Sequence, residues 1–156
     1  MKLVPPRFST NCSFYSPGST DSTVKLWDLR DGMCRQTLVG HSSDVVDCKW
    51  MSNGLNFVTA SDDGVVRLFD VRSDQEIAQY CFDNPMCGVA AVATSQSGRI
   101  IFAGYEDSHV HLWDTLLGGL ITTLQEHTGK ISCLGVDNQG VALCTGSWDA
   151  LLKIWN

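Results

Sequence analysis

The chain has 156 residues and carries 11 Lys or Arg against 17 Asp or Glu, a net charge of −6. That balance argues against a protein built to grip phosphate backbones, which needs clustered cations, and 44% apolar residues are too many for a disordered chain. No run of about 18 apolar residues is present, MKLVPPRFST lacks a secretory apolar core, and seven scattered cysteines without a CxxC pair read as buried free thiols in a reducing compartment.

Taken in chain order, residues 12–19 read as a short strand into which Pro17 intrudes, and Pro lacks the donor that a central strand needs. LWD at 26–28 is then echoed by RLFD at 67–70, HLWD at 111–114 and KIWN at 153–156. The last residues of these strings, Asp28, Asp70, Asp114 and Asn156, are 42, 44 and 42 residues apart. The clearest unit predicts strands over 45–50, 56–60 and 65–69 and a fourth near 76–82. Ser52-Asn53-Gly54 and Asp62-Asp63-Gly64 supply its turns, with glycine available for positive φ. No segment holds apolar residues at i, i+3, i+4 and i+7, so helix is excluded as the main element. Four short antiparallel strands in each period of about 42 residues is the pattern of a β-propeller blade.

Polar residues repeat with the strands. His41, Thr59, Asp63 and Phe69 share their spacing with His127, Thr145, Asp149 and Trp155. The third unit keeps Asp107 and Trp113 but has Pro85 and Ala103 where histidine and threonine belong. Thr, His and Asp together could suggest nucleophilic catalysis with His41 or His127 as base. An active site is needed once, however, and this set recurs, so a structural role is expected and an enzyme is not. His109 and His111 lie two apart on one strand face. With no third ligand placed nearby by spacing, they read as a solvated outer strand and not as a metal site. Asp62-Asp63-Gly64 lacks the further ligands of a calcium loop, and no GxxxxGK[ST] is present to cradle a nucleotide. Neither cofactor nor metal is expected.

The strings KLWDLRDGMCRQTLVGH (25–41), SDDGVVRLFDVRSDQE (61–76), SGRIIFAGYED (97–107), ISCLGV (131–136) and GSWDALLKIWN (146–156) resemble WD40 repeats. They are similar to the C-terminal half of the beta subunits of heterotrimeric G proteins. The resemblance implies an all-β, partial seven-bladed propeller over residues 12–156, with three blades, part of a fourth and the ring not closed. Residues 1–11 stand outside it. The resemblance also implies that His41, Thr59, Asp63, Phe69, Asp107, Trp113, His127, Thr145, Asp149 and Trp155 belong to a hydrogen-bonded chain fastening each blade. It is complete only in the last unit, so the others are expected to be less well fastened.

Thr20, Asp62, Glu106 and Trp148 precede the turn aspartates, at positions a hairpin turn points outward. In the resembled family this face binds the GDP-bound alpha subunit and effectors. The matching positions are Asp44, Asp62 and Trp148, with charge kept at Glu106 and Lys130. The resemblance further implies a gamma subunit on the opposite face, membrane contact only through a lipidated gamma subunit, a cytoplasmic location reaching the inner face of the plasma membrane, and no nucleic-acid partner. A generic WD40 scaffold for complex assembly is the alternative reading. An unclosed stack should leave an apolar sheet face bare at each end, and the chain reads as a truncated form of a longer protein.

Overall fold

The computed structural model describes residues 14–15, 21–83 and 87–156. Every regular element among them is a strand, and the strands form four antiparallel sheets. The first sheet holds β1 (Phe14–Tyr15), β2 (Val24–Asp28) and β3 (Met33–Leu38). The second holds β4 (Val45–Trp50), β5 (Asn56–Ser61), β6 (Val66–Asp70) and β7 (Gln75–Tyr80). β8 (Val89–Thr94), β9 (Ile100–Tyr105), β10 (Val110–Asp114) and β11 (Leu120–Leu124) make the third. The fourth holds β12 (Ile131–Val136), β13 (Leu143–Ser147) and β14 (Leu152–Trp155).

Within each sheet the strands pair in sequence order, as hairpins must. β4 packs against β8 and β8 against β12, so the first strand of each of these three sheets lies innermost. The chain is a partial β-propeller of stacked, unclosed blades. Of the elements read from the sequence, 45–50 is a strand with the expected bounds, and the two after it differ by one residue. Residues 12, 17, 20 and 85 lie outside the described residues.

The middle strands of the second and third sheets are apolar on both faces because each of these sheets is covered twice. On β5, Phe57 joins Val24, Leu26, Val45 and Phe69 between the first and second sheets. Its neighbours Val58 and Ala60 face the other way, joining Val89, Val92, Ile101 and Tyr105 between the second and third. Alternate side chains thus enter different interfaces, as the period of two dictates. Ile131, Leu134 and Leu143 meet Ala91, Ala93 and Val110 in the next interface. The outward face of the fourth sheet is bare, with Cys133 and Cys144 exposed and Leu152 and Ile154 each 74% exposed. This corrects the expectation of buried thiols. Of the cysteines described, Cys48 alone is buried, and Cys34 is exposed as well.

The aspartate ending the repeated tripeptide fastens the turn after β2, β6 and β10. Asp28 takes a two-pronged grip from Arg30, with Nε and Nη2 at 2.9 and 2.6 Å, and Asp70 takes the same grip from Arg72. In the third sheet Leu116 stands where that arginine would be, and Arg99 from the preceding turn binds Asp114 instead. Planar guanidinium forks favour this geometry.

The turn before each third strand needs a left-handed residue. Gly64 adopts φ 78°, but Ser22, Ser108 and Ala150 occupy the equivalent place at 62°, 75° and 64°. A side chain there costs about 1–2 kcal/mol. Ala150→Gly should therefore stabilise the chain by about 1 kcal/mol, read as a higher denaturant midpoint at unchanged slope. An unchanged or lower midpoint would show that the turn carries no such strain.

Candidate functional site

One end of the sheet stack is built from paired loops. The backbone N–H of Asp62 donates to Asp44 O at 3.0 Å, that of Glu106 to Gly88 O at 3.1 Å, and that of Trp148 to Lys130 O at 2.9 Å. Each bond extends the pairing of an innermost strand with its neighbour by one step beyond Val45↔Ser61, Val89↔Tyr105 and Ile131↔Ser147. The turn residues are therefore held in register with the sheets below.

These side chains form a surface running across three sheets. Lys130 reaches from the fourth sheet to pair with Glu106 on the third. Gly88, beside Glu106, lies so close to Asp62 on the second sheet that a Cβ there would sit 3.0 Å from its Cα. Partial burial pushes the Asp62 carboxyl up from its ordinary value, the Glu106 charge adds to this, and Lys130 opposes it. Asp44 is half-buried beside them. Trp148 stands 76% exposed at the end of this surface, with the Lys130 ammonium 5.7 Å from its ring centroid, within range of a cation–π contact. Thr20 lies outside the described residues.

Beneath the loops the repeated polar residues interlock. His127 Nδ1 lies 2.7 Å from Asp149 Oδ2 and its Nε2 lies 2.7 Å from Thr145 Oγ1, which also accepts from the Trp155 indole at 3.0 Å. His41 bridges Asp63 and Thr59 in the same way, at 2.9 and 2.7 Å. Phe69 has no donor to continue that chain. It stacks on Phe57 instead, and Thr59 Oγ1 turns to the carbonyl of Arg67. Trp113 also departs from the expectation: Ala103 stands where threonine would accept, and the buried indole N–H has no hydrogen-bond partner among the described residues. Pro85 lies outside the described residues.

Burial alone would raise the Asp149 carboxyl. Hydrogen bonds with His127 and from the N–H groups of Leu151 and Thr128 outweigh it and hold the group at about 2. Asp63 is lowered by the same balance, and burial lowers His41 below its ordinary 6.5. A depressed carboxyl stabilises the fold above its unfolded pKa and loses that contribution as pH falls through its folded one; a buried neutral histidine also destabilises the fold once it must take a proton. The denaturant midpoint should thus fall below about pH 6.5, and more steeply between about 4 and 2. A flat midpoint across that window would contradict the assignment.

The third sheet differs from the sequence expectation. His111 is buried rather than solvated, and Asp107 approaches both histidines, with Oδ2 3.1 Å from His109 Nδ1 and 4.0 Å from His111 Nε2. Asp107 stands two residues before His109 and four before His111, so a count of two along the chain reaches it, and the sequence reading passed over it. The Glu106–Lys130 pair escaped sequence reasoning because 24 residues separate the two.

The profile of the family described as "G protein beta WD-40 repeat protein" matches residues 4–156, a span that takes in most of the opening segment set apart above. The chain is 43% identical over 157 aligned residues to the guanine nucleotide-binding protein subunit beta of Oryza sativa subsp. japonica, covering 94% of this chain and 41% of that protein. The subunit of that name from Arabidopsis thaliana is 42% identical over 154 residues, with the same coverage. The chain thus spans about two fifths of the length of these curated relatives. With its stacked blades and repeated fastenings, this chain belongs to the G protein beta WD40-repeat family.

Proposed function

We propose that the chain is a non-catalytic interaction surface of G-protein signalling, which meets an alpha subunit or an effector through Asp44, Asp62, Glu106, Lys130 and Trp148. The observation that carries this is Trp148. A large indole 76% exposed on a turn pinned by its own backbone hydrogen bond is poised to be buried by something else, and Trp leads the residue types that dominate interfaces. Acidic neighbours around it fit a partner offering an apolar recess with a cationic rim. The relatives' name, guanine nucleotide-binding protein subunit beta, supports the choice of partner. A gamma subunit on the opposite face would bring the complex to a membrane indirectly.

The non-catalytic reading draws support from the histidines. Both ring nitrogens of His41 and of His127 are engaged, and each side chain is 1% exposed, so neither can reach a substrate. Titration of the purified chain with GDP-loaded alpha subunit tests the proposal. Saturable binding that weakens in Trp148→Ala is expected. Absence of binding, or equal binding by both chains, overturns it.

A further inference from the structure

We propose that Asp107, His109 and His111 form a binding site for a divalent transition ion of the Zn2+ class, at the loop end of the third sheet. Their three donor atoms lie within 4.8 Å of one another. A tetrahedral ion with bonds of about 2.1 Å places its donors about 3.4 Å apart, so the widest separation needs to contract by about 1.4 Å. His109, whose side chain is one third exposed, can supply that movement.

The other two groups are already aimed. His111 Nδ1 lies 2.8 Å from the Thr123 hydroxyl on β11, and the rings of Phe82 and Tyr105 meet the imidazole edge-on, each with centroids 4.8 Å away. This leaves Nε2 directed at Asp107. Holding one imidazole nitrogen by a hydrogen bond so that the other points at the ion is how proteins orient histidine ligands. Asp107 Oδ1 accepts the His109 backbone N–H at 3.0 Å, which turns Oδ2 toward the two rings. Two imidazoles and one carboxylate suit Zn2+ and its neighbours, whereas Ca2+ and Mg2+ prefer oxygen throughout.

The other sheets show that this arrangement is particular to the third. The positions matching His111 hold Lys25, Arg67 and Lys153, and those matching His109 hold Thr23, Val65 and Leu151. There Asp63 and Asp149 turn inward to His41 and His127. In the third sheet the aspartate faces two imidazoles instead, and water or a partner's side chain would complete the coordination.

Equilibrium dialysis of the full chain against Zn2+, with Co2+ absorption as a second reading, tests the site. One equivalent should bind. His109→Asn should weaken binding by about 100-fold or more, since losing even a group that only orients a ligand costs about 10–100-fold. Thr123→Val leaves all three ligands and should cost about 10-fold; it carries the test by itself if His109→Asn fails to fold. Absence of saturable binding overturns the proposal. Equal affinity in the wild type and the folded variants, or a cobalt spectrum with a thiolate charge-transfer band placing the ion on cysteine, does the same.

Discussion

His127→Ala should cost the fold about 3 kcal/mol. The ring is buried, and both nitrogens are engaged at 2.7 Å, one by Asp149 and one by Thr145. Removing it strips a lowered carboxylate of its side-chain partner and leaves the Thr145 hydroxyl with the Trp155 indole alone. Two hydrogen bonds are lost, one of them to a carboxylate that keeps only the N–H groups of Thr128 and Leu151, so the loss exceeds that of a typical single hydrogen bond, about 1 kcal/mol. His41→Ala should cost less, because Phe69 ends that chain one bond earlier. Denaturant melts of the two variants beside the wild type check both statements. An unmoved midpoint for His127→Ala would mean that the repeated histidines do not fasten the sheets.

Trp148→Ala should weaken alpha-subunit binding by about 2 kcal/mol, roughly 30-fold in Kd, and leave the melting curve in place. The two halves of this expectation have separate causes. Stability is spared because the indole is 76% exposed and its turn is held by backbone bonds that alanine keeps, Trp148 N–H to Lys130 O among them. Affinity is lost because the ring presents the largest exposed apolar surface on the loop end, and Lys130 stands over it as a cation that a partner can share. A variant that binds as the wild type does would remove Trp148 from the interface. One that melts early would show that the ring braces its own sheet.

Much of the architecture was legible without coordinates. The strands at 45–50, 56–60 and 65–69 followed from short β-branched runs between Gly-bearing turns, because strand propensity and turn chemistry are local properties. The polar set His41–Thr59–Asp63 was legible for another reason. Repetition at fixed spacing in His127, Thr145 and Asp149 separates a fastening from a catalytic group, which would occur once.

What the sequence determined by itself is therefore the all-β repeat, its period, its place in the family and the residues that recur. Side-chain meetings across sheets were decided only by tertiary structure. The Glu106–Lys130 pair, the approach of Gly88 to Asp62 and the exposure of Cys133 and Cys144 depend on which sheet covers which, and no spacing along one strand encodes that. The same holds for the burial of His111, although Asp107, His109 and His111 are spaced by two in the chain. A tight turn reverses the chain within a few residues, so the carboxylate lands over the start of β10, and the covering rings of Phe82 and Tyr105 hold His111 inward, where strand alternation alone had placed it in solvent.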